Sequence, residues 1–176
     1  WLHRWTPVRY SPSWASYLKN ECFDRRVAAA LDDPADRFMG FVGQALQTFR
    51  RAEQVGVDTL ELVAVNSHVN NVRRLHRRAA EETGMRDTWL NDAQRRKILA
   101  EYEKADRIYV HSEYTRTSFL EAGIPNDKLE RTILRVDPRF EPPDTRPDDD
   151  RFRSVYVARL DATKGLPLLL EAFHQL

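Results

Sequence analysis

Two cations bracket a short turn late in the chain. Arg159 and Lys164 flank Leu160-Asp161-Ala162-Thr163, between a strand-like run and a helix-like one. A helix N-terminus favours anions, so this pair could neutralise a diphosphate; an ordinary exposed turn is the plainer reading. His68 follows an aliphatic run, with Asn66 before it and Asn70 and Asn71 after. A strand-end histidine among amides could act as hydrogen-bond partner, base or electrostatic support, or be purely structural. Arg73, Arg74, Arg77 and Arg78, with His76, form a basic stretch that no acid interrupts from His68 to Ala80. It could hold an anionic substrate or touch anionic lipid, or be a solvated face neutralised by Glu81 and Glu82. Asp148-Asp149-Asp150 offers the Asp-x-Asp spacing of a divalent-metal site, but among prolines nothing would fix coordination geometry. It reads as a solvated charge run, and no metal is expected.

Composition removes several other chemistries. None of the six glycines forms G-x-G-x-x-G or G-x-x-x-x-G-K-S/T, which weakens dinucleotide and P-loop readings. The single cysteine, Cys22, excludes an intrachain disulfide framework and a thiolate-built zinc site. The 28 basic and 27 acidic residues give a net charge of +1, so nucleic acid is not an expected partner. No signal peptide or membrane-length apolar run is visible, and the default expectation is cytoplasm.

These residues need elements to position them. The 176-residue chain has room for one domain and a little more. Residues 1–26 are aromatic-rich without a period and read as loop plus short elements. Phe38, Phe41, Val42, Ala45, Leu46 and Phe49 recur at helical spacing, closed by Gly56. Asp58 to Val65 reads as a buried strand, Val72 to Glu82 as a helix stopped by Gly84, and Asn91 or Asp92 to Lys104 as another helix. Arg107 to His111 is a strand, Ser112 a helix N-cap, and Glu113 to Ala122 a helix stopped by Gly123. Leu129 to Val136 is a further strand. A proline-rich acidic linker follows, then a strand at Ser154 to Ala158 and a helix at Gly165 to Leu176. The alternation predicts an α/β fold with a doubly wound, mostly parallel sheet. His68 and Ser112 fall at carboxyl ends of strands, where such sheets bind ligands.

Ala105-Asp106-Arg107-Ile108-Tyr109-Val110-His111-Ser112, then Gly123-Ile124-Pro125, resembles the "AD-x-I-x-x-x-S" strand and "G-I/V-P" turn of glycosyltransferase family 4. Val136-Asp137 with Phe140 and Pro142 resembles its "G-V-D-x-x-x-F-x-P" crossover. Val157-Ala158-Arg159-Leu160 through Lys164-Gly165 resembles "V-G-R-L-x-x-x-K-G", and Leu168 to Phe173 resembles the "L-L-x-A-F" helix after it. The ordered run covers about Asp58 to Leu176. Ala158 and Arg135 stand where the family pattern has glycine.

The resemblance implies two facing Rossmann-like domains: residues 1–137 as part of the acceptor-side domain, 138–152 as linker, and 153–176 as the start of the nucleotide-sugar domain. It implies metal-independent, retaining transfer of a hexose from a nucleotide diphosphate sugar, with no cofactor. Arg159 and Lys164 match the family's diphosphate-binding cations, and His68 its active-site histidine. Asn66, Asn70, Arg73 and Arg74 are candidate acceptor or anion contacts. The acceptor could be a glycan, a lipid-linked sugar or a small molecule, with peripheral contact at the inner face of a membrane. The chain reads as an internal fragment expected to be inactive alone, since the family's paired glutamates would lie beyond Leu176. A non-catalytic module binding anions or a partner through Arg73–Arg78, or a nucleotide-sugar epimerase of similar fold, stays open beside it.

Overall fold

The computed structural model describes residues 12–84, 90–141, 153–158 and 164–175. The Trp1–Tyr10 aromatic segment, the Asp148–Asp150 run and Arg159 lie outside the described residues. The elements are α1 (Pro12–Ala30), β1 (Arg37–Phe41), α2 (Leu46–Val55), β2 (Thr59–Ala64), α3 (Val69–Thr83), α4 (Asp92–Lys104), β3 (Arg107–Val110), α5 (Glu113–Glu121), β4 (Leu129–Arg131) and α6 (Leu166–His174).

The strands form one four-stranded, all-parallel sheet in the order β1-β2-β3-β4. Helices separate each strand from the next, and the fold is Rossmann-like, as the alternation predicts. Side-chain alternation along each strand sorts the residues by face. Leu60, Leu62 and Ala64 of β2 share a face with Ile108 and Val110 of β3 and Leu129 of β4. They join Phe49, Ile98, Tyr102 and Phe119 from the helices in one buried core. On the opposite face Met39 and Phe41 are exposed, while Glu61 is covered and accepts the Tyr109 hydroxyl at 3.1 Å.

Four expectations need correction. Residues 12–30 form one long helix rather than loop and short elements. Its buried residues are Glu21 and Asp24, so no apolar period marks it. The helix expected from the Phe38 to Phe49 spacing is a strand, a turn and a helix. Gly40 explains the break: a Cβ there would meet the Ala45 Cβ at 2.7 Å, so β1 and the start of α2 pack closely only with glycine. The strand at Leu129 ends at Arg131, after which Ile133, Leu134 and Val136 are exposed. Its last ladder bond is from the Thr132 amide to the Val110 carbonyl, where β3 itself stops. Residues 153–158 pair with no strand among the described residues. Without a neighbour to accept its ladder bonds, a lone strand is not stabilised, and Val155 and Val157 are exposed.

The remaining elements hold. Asn91 and Ser112 cap α4 and α5, each side chain accepting the amide three residues on. Gly56 and Gly84 close α2 and α3.

Candidate functional site

The carboxyl ends of β1 and β2 open onto a groove. After Ala64 the chain runs through exposed Val65 and Asn66, then Ser67, before α3 begins. One end of the groove is a pocket of about 180 Å³ between α1, α3 and α4, where Ser16, Asn20, Asn66, Ser67 and Gln94 supply the polar lining. Val42, Val69, Ile98 and Tyr102 supply apolar wall. The other end is a shallower pocket of about 280 Å³ toward α5, lined by Leu75, His76, Tyr114 and Thr115. Val65, Asn66, Ser67 and Val72 line both, so the two adjoin at the β2 exit.

Hydrogen bonds fix the groove's middle. Asn71 Nδ2 donates to Ser67 Oγ and to the Tyr114 hydroxyl, both at 2.9 Å. That ties the β2 exit to the first turn of α5. Gln94 is 7% exposed, and its Oε1 has no hydrogen-bond partner among the described residues. A buried amide oxygen without a donor is costly and marks unused hydrogen-bonding capacity.

His68 is placed elsewhere. It is the N-cap of α3, its Nδ1 accepting the Asn70 amide at 3.3 Å, while its own amide donates to Ser118 Oγ at 2.9 Å. Its ring packs on Tyr102 and Phe119, with centroids 5.1 Å and 5.3 Å away. Burial, with the Arg95 guanidinium nearby, pushes its pKa down to about 4, so it is neutral at pH 7. It lines a separate pocket with Asn70, Tyr102 and Lys128. The sheet brings Asn66 to the groove but turns His68 into the core.

The basic helix is largely matched. Arg73 pairs with Asp92 at 2.7 Å, Arg78 with Glu82 at 2.7 Å, and Arg74 donates to Asn71 Oδ1 at 2.6 Å. Asn70 Oδ1 accepts Arg95 Nε at 2.8 Å. Lys164 is exposed, one residue before the Gly165 N-cap of α6. Among the described residues no hydrogen bond, ion pair or pocket joins Lys164 to His68, Asn66 or the arginines.

The start of α2, which follows β1, is the position where a parallel α/β sheet usually offers its amides to an anion. Here the protein fills it from within. Glu101 of α4, fully buried, accepts the amides of Gly43, Ala45 and Leu46. Asp24 of α1 accepts those of Gln47 and Thr48, both at 2.9 Å. Lys97 bridges Asp24 at 2.6 Å and Glu21 at 2.8 Å. The amides at the start of α2 are therefore taken, and Asn66 stands out as an exposed polar side chain of the groove. Among the described residues no group of His, Cys, Asp and Glu could hold a metal, and no helix is long and apolar enough to cross a membrane.

No family model, curated protein or solved structure matches the chain. The groove is thus characterised by its own residues. Asn66 is the sequence-predicted residue that lines it. Ser16, Asn20 and Gln94 went unnoticed because they are neutral and come from separate helices; only Asn91, the cap three residues before Gln94, gave a local signal.

Proposed function

We propose that this chain is part of a glycosyltransferase, carrying acceptor-side structure and the start of the nucleotide-sugar domain, that moves a hexose from a nucleotide diphosphate sugar to a hydroxyl acceptor. One observation carries the reading: the open groove at the carboxyl end of β2 presents neutral amides and hydroxyls rather than charges. Such groups hydrogen-bond sugar hydroxyls, and they sit where parallel α/β sheets bind ligands. The residues that resemble family 4 glycosyltransferases support it: β3, the Ser112 cap, α5 and the Gly123 stop form the strand–helix unit that the resemblance implies.

In this reading Arg159 and Lys164 hold the departing nucleoside diphosphate, whose negative charge grows as the sugar leaves. Fixed cations at a helix N-terminus stabilise such charge more in the transition state than in the ground state. Asn66 orients the acceptor. His68 acts by fixing the start of α3, since its Nδ1 is occupied by the Asn70 amide. The test is product analysis with the complete gene product. Incubation with a panel of nucleotide diphosphate hexoses and hydroxyl acceptors, with and without a chelator, should give chelator-insensitive transfer with retained anomeric configuration. Absence of transfer from every donor would refute the proposal.

A further inference from the structure

We infer that the pocket between α1, α3 and α4 seats one uncharged, hydroxyl-rich ring, and that this ring is the sugar end of the acceptor. The second half rests on the transferase reading; the first stands on the lining alone. Besides the Tyr102 hydroxyl, which is hydrogen-bonded to the Val69 backbone, the polar side chains around the pocket are Ser16, Asn20, Asn66, Ser67 and Gln94, two hydroxyls and three carboxamides, with no charged side chain. Hydroxyls and carboxamides both donate and accept, which is what a polyol requires.

Several of these groups are unspent. Ser16 and Asn66 have no hydrogen-bond partner among the described residues, and Asn20 has only a long contact of 3.4 Å with Gln44. Gln94 is more than nine-tenths buried, with its Oε1 unpartnered. The nearby charges have partners of their own: Arg73 pairs with Asp92 and Lys97 with Glu21 and Asp24, while Arg95 donates to the neutral carboxamide of Asn70. Glu101 is taken up by backbone amides. Among the described residues no charged side chain lines the pocket to hold an anion or a cation. A volume of 180 Å³, at about 30 Å³ per water, has the scale of a single sugar ring. The apolar wall of Val42, Val69, Ile98 and Tyr102 suits the C–H face of such a ring.

The acceptor is therefore recognised through neutral hydroxyls, and the Arg73–Arg78 helix is not its anchor. The 15N-labelled chain would be titrated by NMR with methyl glycosides of glucose, galactose and mannose, and separately with inorganic phosphate. At least one glycoside should shift the signals of Ser16, Asn20, Asn66 and Gln94 with millimolar affinity. Gln94→Leu should weaken it at least tenfold. Asn66→Ala, at an exposed position, provides a second variant that does not disturb the core, and an Arg78→Ala control, on the basic helix but paired with Glu82, should bind normally. No glycoside shift in this pocket, shifts that both pocket variants leave unchanged, or tighter binding of phosphate would overturn the inference. Glycoside binding without sugar transfer by the complete gene product would keep the pocket and remove the transferase reading. Transfer without glycoside binding would do the reverse.

Discussion

Glu101 on α4 accepts the amide of Ala45 at 3.0 Å and so caps α2 from another element. Ala45, the residue at the N-cap, has no side-chain oxygen to do this itself. The same carboxylate takes the Gly43 and Leu46 amides, and Gly43 turns toward it with a φ of 89°, a conformation that favours glycine. Glu101→Ala leaves three buried donors unmatched. It should cost about 3 kcal/mol or more in a denaturant titration, the scale of lost buried hydrogen bonds. A loss under about 0.5 kcal/mol, typical of an exposed site, would show that the cap is dispensable.

Lys97 holds α1 to α4. It is buried, and so are its partners Glu21 and Asp24. Burial alone would raise both carboxyls, but Lys97 together with Arg25 and Gln47 at Glu21, and with the Gln47 and Thr48 donors at Asp24, outweighs it and holds them below their usual range. Lys97→Met strands the Asp24 carboxylate in the core and should destabilise by about 3–5 kcal/mol. Protection of α1 amides in hydrogen exchange should fall first. A variant as stable as wild type would contradict the bridge.

The pH dependence has two limbs of opposite sign. Depressed carboxyls such as Asp24 and Glu21 contribute stability above the usual carboxylate pKa and lose it in acid. Glu101 behaves oppositely: burial, opposed by its amide bonds and Lys97, pushes its carboxyl up to about 7. The folded chain therefore holds that proton more tightly than the unfolded one. Its contribution is full below about pH 4.5 and is lost as pH rises through 7, up to about 3 kcal/mol. His68, held down to about 4 in the folded chain, runs the other way between about pH 4 and 6.5, so midpoints should be nearly level between about pH 4.5 and 7. In Glu101→Gln the His68 limb is left unopposed and midpoints should rise between about pH 4.5 and 6.5; a profile unchanged in that variant would remove the assignment.

Close packing at Gly40 gives a separate check. Gly40→Ala brings two methyl-sized groups to 2.7 Å and should destabilise by about 1–3 kcal/mol through overpacking. Gly84→Ala, where no atom lies within 4 Å, is the comparison: its cost should come from the backbone alone. Equal effects on core packing, read by aromatic NMR shifts of Phe38 and Phe49, would argue against the contact.

Much of this fold was legible in local chemistry, and the misses have physical reasons. The β2 run, the Asn91 and Ser112 caps and the glycine stops each carry their signal within a few residues. The α1 helix does not, because it docks through Glu21 and Asp24 on Lys97, more than seventy residues away. Phe38 to Phe49 resembles a helical stripe because Phe38 of β1 and Phe49 of α2 meet edge-to-face, with centroids 6.2 Å apart, across the turn. At the site, Asn66 could be placed from the strand end alone. His68 could not, since its inward turn depends on the aromatic seat made by Tyr102 and Phe119. Gln94, Asn20 and Ser16 converge only through tertiary packing.

The measurement closest to the central claim is the steady-state rate of sugar transfer by the complete gene product with Arg159→Ala and Lys164→Ala. If these cations stabilise the departing diphosphate, each variant should lose about 2–4 kcal/mol of transition-state stabilisation, roughly a thirtyfold to thousandfold fall in kcat/KM. The Lys164 variant should stay as stable as wild type, since Lys164 is exposed. Transfer at the wild-type rate in both variants would contradict the account.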